Sequence, residues 1–490
     1  MGTTLSLGFV LAAALTVVLN FAGVASSSSS ELSGPPAAVV DFELNPQCPG
    51  RPQVNCSCMG FPTETQECEN RTSFSNVLYF NFSKPAVHDA KHPYNHHYLV
   101  STMGSPAVLM IAVERTRKDR ALDEQKTFKV DWYKLHYGEG GAVRLVETPG
   151  QEFATIQGLV ISKLYRFTDP NDFADIKQST KGRENQTETI DMSTIRWKMI
   201  HATSRGDRSW FRFETSDAIG DGNNTLPQFL GKGTLQIELS VFSASGRDTD
   251  RPPNLEHGSG GSIQLDVALD GVSLNNRTEA RFAAEVVVFS FVKHAENGSE
   301  AALFKELKIE TVENIDDEFT PGVFKTSFIR FPESTGHVLW KPVSYKSRSH
   351  SRSAFTSLTA DQPKTTLTNQ TNSSAVPFPD GGSRLLRGFA PTNQFQYRLS
   401  AAFNLTFGQP KDGFYASTNY SDWTVLIGEG PPPDARFLAS WLFVALLATS
   451  LFLIVASAIV ALCLAAAVTN RRSVPYFVMV ADESADGDST

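Results

Sequence analysis

The chain has 490 residues, with 44 Lys and Arg against 52 Asp and Glu and a formal net charge of −8. That balance supplies no concentrated basic face, so no nucleic-acid partner is expected. The length accommodates two or three ordinary domains, or one large ectodomain with an anchor, and two apolar segments near the ends enclose a polar stretch.

The first apolar segment runs from Leu5 to Ala25 and has the length of a signal-peptide core. Gly23 and Ala25 offer a cleavage site ahead of the serine run Ser26–Ser30, although the leading MGTT carries no Lys or Arg. Residues 1–25 are therefore read as a signal peptide and 26–436 as a luminal ectodomain. Cys48, Cys56, Cys58 and Cys68 follow. Four cysteines this close together in an oxidising lumen suggest two disulfides, with three pairings open. The Cys-x-Cys spacing departs from the Cys-x-x-Cys of zinc knuckles, so no metal site is expected there. His88, His92, His96 and His97 come next, and Pro93 breaks any helix that would align them as ligands. They read as a solvated loop entering a strand. Free imidazoles titrate near pH 6.5, so these would be protonated near pH 5 and able to sense it.

The rest of the ectodomain reads as β. Thr234–Phe242 (TLQIELSVF) alternates Leu235, Ile237, Leu239 and Val241 with polar neighbours, and Ile263–Asp270 repeats the pattern. Period two over that length is the mark of a half-buried strand. Further strands are expected over Val77–Phe82, Ala107–Val113, Phe128–Tyr133, Ala154–Phe167, Arg281–Val292, Phe324–Arg330, Val338–Val343 and Phe395–Phe407. The run between Ser243 and Ser262 is rich in Gly, Pro and Ser and reads as a long exposed loop. Lys346–Ser383 reads as a disordered loop. The fold class expected is an all-β ectodomain of two packed β-sandwich units, subdivided near residues 215–232, with no long amphipathic helix.

Motifs for catalysis are missing: no GxSxG, HExxH or GxxxxGK[ST] occurs. Asp316, Asp317 and Glu318 are adjacent on a turn, whereas glycosidic chemistry needs two carboxylates facing each other across a cleft. Arg205-Gly206-Asp207 is an integrin-type tripeptide, followed by strand residues Trp210 and Phe211. The expectation is a protein that is not an enzyme, with no catalytic residue and no cofactor.

The second apolar segment, Phe437–Val468, contains no charged residue. About 20 residues suffice to cross the hydrocarbon core, so residues 437–468 are read as a transmembrane helix. Arg471 and Arg472 follow at once and favour a cytosolic tail over 469–490. The expected protein is thus single-pass and type I. In the tail, Tyr476 and Met479 form a Tyr-x-x-Φ signal of the kind that docks an extended peptide into a clathrin adaptor. Acceptor triplets Asn-X-Ser/Thr occur at Asn55, Asn70, Asn81, Asn185, Asn223, Asn276, Asn297, Asn369, Asn372, Asn404 and Asn419, all between the two apolar segments. That is well above the roughly three expected by chance, and places this stretch in a glycosylating compartment.

Several stretches resemble the glycosylated lysosomal membrane protein family: HYLVSTMGSPAVLMIAV (His97–Val113), VDWYKL (Val130–Leu135), NIDDEFTPGVF (Asn314–Phe324), WKPVSY (Trp340–Tyr345) and AFNLTFG (Ala402–Gly408). They stand in that family's order. The resemblance implies a non-enzymatic lysosomal type I membrane glycoprotein. It implies an accessory subunit that binds a lysosomal major-facilitator transporter of dipeptides and protects it from luminal proteolysis. It also implies sorting by Tyr476 and Met479 and a glycan on Asn404. The early cysteine cluster departs from vertebrate members, which carry a cysteine just before FNLTFG, where this chain has Ala401 and Ala402. The alternative reading is a luminal ligand-binding or sorting receptor of the endolysosomal pathway.

Overall fold

The computed structural model describes residues 39–44, 77–82, 94–114, 128–146, 153–181, 187–205, 208–215, 225–243, 246–248, 255–258, 261–293, 307–315, 323–331, 336–344, 355–356, 359–360, 364–369, 381–390, 395–407, 419–430, 432–433 and 441–471. Strands β1 (Val39–Leu44), β2 (Val77–Phe82), β3 (Tyr94–Ser101) and β4 (Ala107–Glu114) form an antiparallel meander. A small insertion follows, comprising β5 (Phe128–Val130), helix α1 (Trp132–Tyr137) and β6 (Val143–Leu145). The long β7 (Phe153–Thr168) then returns beside β4, followed by helix α2 (Ile176–Thr180) and β8 (Glu188–Asp191).

The chain next builds a second sheet with β9 (Trp197–Arg205), β10 (Arg208–Thr215), helix α3 (Thr225–Leu230) and β11 (Thr234–Phe242). A short hairpin, β12 (Gly246–Arg247) and β13 (Glu256–His257), precedes β14 (Ser262–Asp270). Strand β15 (Ala280–Lys293) crosses back to the first sheet. Strands β16 (Ile309–Ile315), β17 (Val323–Arg330), β18 (Gly336–Ser344) and β19 (Phe355–Thr356) join the second. Next come β20 (Thr359–Ala360), β21 (Lys364–Asn369), helix α4 (Arg384–Gly388), β22 (Phe389–Ala390), β23 (Phe395–Thr406) and β24 (Tyr420–Glu429).

The first sheet has the order β1-β2-β3-β4-β7-β15-β23-β20, with β8 on β7 and β21 on β23. The second has the order β16-β17-β18-β24-β14-β11-β10-β9, with β19 on β18. Their inner faces share one core. Phe80 of the first sheet meets Phe211 of the second with ring centroids 5.7 Å apart, and Phe403 meets Trp340 at 5.5 Å. The alternation read from sequence produces this directly. Leu235, Ile237, Leu239 and Val241 all point inward and are buried, and each such side chain contributes roughly 1.5–3 kcal/mol of transfer free energy. The expected subdivision near residues 215–232 falls between β10 and β11, which pair with each other in one sheet. Each layer therefore draws strands from both halves of the chain.

The outer faces are partly covered as well, which accounts for three differences from the sequence reading. Phe128–Tyr133 is strand only as far as Val130. Asp131 caps α1 by accepting from the Lys134 amide at 3.2 Å, and Gly138 ends it at φ 66°, a left-handed position that glycine occupies without steric cost. Helices α1 and α4 lay Trp132, Leu135, Leu385 and Leu386 against Leu99, Leu109 and Phe289 on the outer face of the first sheet. The run after Ser243 folds back over the second sheet, where Leu255 is fully buried against Phe328, Leu339 and Leu426. Three short strands, β19 to β21, occupy part of the expected loop Lys346–Ser383.

Residues 30–438 fall in one compact unit, and the terminal helix α5 (Trp441–Arg471) belongs to another. Within α5, the 24 residues Leu446–Thr469 reach a mean hydropathy of 2.9 over an 18-residue window. That length covers a hydrocarbon core. Its hydroxyls bond back to the helix, Ser450 Oγ to the Leu447 carbonyl at 2.8 Å and Ser457 Oγ to the Ile454 carbonyl at 2.8 Å. They therefore bring no unpaired polar group into an apolar medium.

Candidate functional site

One end of the sandwich interior is polar. On β3, side chains alternate between the two faces of the first sheet, so His96 and Tyr98 point inward and His97 outward. Glu429 ends β24 in the opposite sheet and also points inward. His96 Nδ1 lies 3.5 Å from Glu429 Oε2, with the two side chains 1% and 3% exposed. Tyr98 donates to the Gly261 carbonyl at 3.3 Å. Burial, reinforced by the Glu429 charge, pushes the Tyr98 hydroxyl well above its usual pKa, so it serves only as a neutral donor. Gly261 stands at φ 88°, where an added Cβ would meet the Phe82 ring at 2.4 Å. The close approach of this turn to Tyr98 therefore requires glycine.

The outer face at the same end gathers two more imidazoles. His257 of β13 stacks on Phe242 with centroids 3.5 Å apart and shares a hydrogen bond with Ser262 Oγ at 3.2 Å. His337 of β18 pairs its Nδ1 with the Gly430 carbonyl at 2.9 Å. Arg208 lies over the other part of this cluster, 5.0 Å from the Phe242 ring, and holds Asp248 through two bonds of 3.1 Å. Burial, then the Arg208 and Arg247 charges, press the His257 pKa down to about 3.

This arrangement overturns the solvated reading of His96 and His97. Both are buried, because β3 is covered on both faces. His97 Nδ1 meets Tyr79 Oη at 2.9 Å, and burial lowers its pKa to about 4. At pH 5 it stays mainly neutral, so it does not act as the expected acid sensor. His88 and His92 lie outside the described residues. Among the described residues no cluster of three or more His, Cys, Asp or Glu side chains could hold a metal ion.

The described glycan acceptors are unevenly placed. Asn81, Asn369 and Asn404 lie on β2, β21 and β23 of the first sheet. Asn276 and Asn419 sit in turns at φ 60° and 51°. No acceptor asparagine lies within a strand of the second sheet, although the triplet of Asn419 runs into the start of β24. The outer face of that sheet instead presents Trp210, with His201 at 4.5 Å between centroids and the Arg212 guanidinium 4.9 Å above the ring. Arg212 is also bonded to Glu238, and Gln236 donates to Glu214 at 2.7 Å.

Asn55, Asn70, Asn185, Asn223, Asn297, Asn372, Cys48, Cys56, Cys58, Cys68, Asp316, Asp317, Glu318, Tyr476 and Met479 lie outside the described residues, as does residues 1–25. Of Arg205-Gly206-Asp207, only Arg205 is described, as the last residue of β9. Glu429, His257, His337 and Trp210 were missed as site residues. Each sits singly among ordinary strand neighbours, and only register brings them together.

A family profile described as glycosylated lysosomal membrane protein matches residues 86–468. The chain is 27% identical over 349 residues to the glycosylated lysosomal membrane protein of Danio rerio, covering 70% of this chain and 74% of that one. It is 27% identical over 372 residues to the glycosylated lysosomal membrane protein A of Xenopus laevis, covering 74% and 82%. It is 28% identical over 352 residues to the Bos taurus protein of the same description, covering 69% and 73%.

Proposed function

Because the chain belongs to the glycosylated lysosomal membrane protein family, whose members are lysosomal membrane glycoproteins, we propose that it is a non-enzymatic accessory subunit of a polytopic transporter. The partner is a lysosomal major-facilitator transporter of dipeptides, which this protein binds, stabilises and protects from luminal proteolysis. The ectodomain lies in the lumen and the residues after α5 in the cytosol. Tyr476 and Met479 bind a clathrin adaptor and bring the protein to the lysosome.

The observation that carries this reading is the uneven distribution of glycan acceptors. Acceptor asparagines lie within strands of the first sheet and none within strands of the second, which leaves the outer face around Trp210 and Arg212 without an acceptor among the described strand residues and open to a protein partner. Trp210 and Arg212 on that face are of the residue types that dominate binding energy at interfaces. In α5, Ala456, Ser457, Ala458, Ala461, Ala465 and Ala466 allow close approach of a neighbouring transmembrane helix.

The test is affinity purification of the full-length protein from lysosomal membranes in mild detergent, with mass spectrometry of what co-elutes. A stoichiometric major-facilitator transporter supports the proposal, provided that it disappears from lysosomes on depletion of this protein and returns on protease inhibition. A preparation without any polytopic partner overturns it.

A further inference from the structure

Asn404 opens onto a groove on the outer face of the first sheet, and we propose that this groove seats the first N-acetylglucosamine of the glycan carried by Asn404 itself. The groove has a volume of about 280 Å³ and is lined by Tyr165, Ile176, Lys177, Thr180, Thr187 and Asn404. That is near the lower bound of small-ligand pockets, roughly 300 Å³, and suits a single sugar ring.

Sheet register builds the site. Lys163, Glu285 and Asn404 stand in one row across β7, β15 and β23, so they share a face. Two residues along β7, on the same face, Tyr165 is opposite Ala283. The Tyr165 hydroxyl donates to Glu285 Oε2 at 3.1 Å, and Ser162 and Lys163 bond the same carboxylate, which fixes the ring. Helix α2 forms the other wall. It is held by the buried Asp169, which accepts from the Ala174 amide at 2.8 Å, Ser179 Oγ at 2.7 Å and Arg281 Nε at 2.8 Å. The walls are thus fixed by the protein's own contacts and do not depend on a sugar being present.

The chemistry of the lining matches an N-acetylated sugar. Tyr165 and Ile176 give apolar surface for the ring face and the acetamido methyl. Lys177 and Thr180 stand at the opening, where sugar hydroxyls need partners. Asn404 Oδ1 and Thr187 Oγ1 are buried and lack a hydrogen-bond partner among the described residues. Unsatisfied buried polar atoms are uncommon enough to call for a ligand or an ordered water. In the covalent step, Asn404 Nδ2 attacks C1 of a polyprenol-pyrophosphate-linked oligosaccharide. The C–N bond forms, the C–O bond to pyrophosphate breaks, and the amide loses one proton. A tethered sugar is then at high effective concentration for the groove beside it.

The proposal rests on the luminal placement of the ectodomain, and its test separates the two. Full-length protein in detergent is treated with peptide-N-glycosidase before and after denaturation, and each site is followed by glycopeptide mass spectrometry. The glycan on Asn404 should be released at least tenfold more slowly than those on Asn276 and Asn419 in the native protein, and equally fast after denaturation. Lys177→Ala with Thr180→Ala, both at the rim, should speed native release at Asn404 at least fivefold. Asn185→Gln should leave its protection intact, since Thr187 also belongs to the Asn185 triplet. An unoccupied Asn404, equal native release, slow release indifferent to the rim variants, or protection lost in Asn185→Gln would each overturn the proposal. An absence of glycan at every site would instead overturn the luminal placement.

Discussion

His96 of the first sheet and Glu429 of the second face each other across the sandwich interior, 3.5 Å from Nδ1 to Oε2. The pair joins β3 to the end of β24 at the polar end of the sandwich interior, beside the Tyr98 hydroxyl. A buried charge stripped of its partner costs about 3–5 kcal/mol, whereas replacing both partners by apolar residues is often neutral or stabilising. Glu429→Ala is therefore expected to destabilise by about that amount, and His96→Leu with Glu429→Leu by far less. Thermal unfolding followed by tryptophan fluorescence measures both. A Glu429→Ala protein as stable as the parent would show that the pair does not hold the layers together.

Stability should fall on acidification through the imidazoles that stay neutral when folded. His97 and His257 have folded pKa values lowered to about 4 and about 3. In the unfolded chain each takes up a proton near pH 6.5. The unfolded state therefore binds more protons between these limits, and stability is lost as pH falls below 6.5 towards the folded values. From pH 7.5 to pH 5, each group contributes a loss of about 2 kcal/mol. His97→Gln should flatten the dependence of unfolding temperature on pH over that range. An unchanged slope would rule His97 out as a contributor.

Gly158 of β7 lies between its neighbours β4 and β15 and faces the outer side of the first sheet, under Phe289. A Cβ there would stand 2.0 Å from the Val108 carbonyl oxygen and 2.6 Å from Phe289 Cζ. Backbone cannot yield as a flexible side chain does, so Gly158→Ala should cost about 3 kcal/mol or more. Denaturant unfolding of the two proteins side by side provides the check, and a cost below about 1 kcal/mol would contradict the packing described here.

A glycan placed on the clear face of the second sheet should block a partner without unfolding the protein. Arg212→Asn with Glu214→Thr creates an acceptor triplet on β10. The expected outcome is loss of the co-purifying transporter with the unfolding temperature within a few degrees of the parent. Retention of the partner by fully glycosylated variant would move the docking surface elsewhere.

The sheets were largely legible because period-two alternation survives wherever one face is buried. Thr234–Phe242 is a strand with the bounds read from the sequence. What failed had physical causes. In β3 both faces are covered, so His96 and His97 look like loop residues by composition and are core residues by position. Leu255 is a lone apolar residue in a polar run, and its burial depends on a hairpin folding over a distant sheet. At Asp131 the local signal was present, as an aspartate ahead of Trp132 able to cap a short helix, and strand propensity of its aromatic neighbours outweighed it. The candidate site was the least legible part, since His257, His337 and Glu429 come from three separated strands.

The position of β24 sets an order of assembly. It is the last strand of the ectodomain, yet it lies between β18 and β14. Until residues 420–429 are in place, strands β16 to β18 and β9 to β14 are two half-sheets with unpaired edges facing the gap that β24 will fill. Non-local pairings of this kind close late. The apolar segment begins within ten residues of Glu429, so in the luminal placement proposed above the sandwich is completed only when that segment is already entering the translocon. In that placement oligosaccharide is offered to an open chain, including the triplet ending at Thr406, which is 1% exposed once folded.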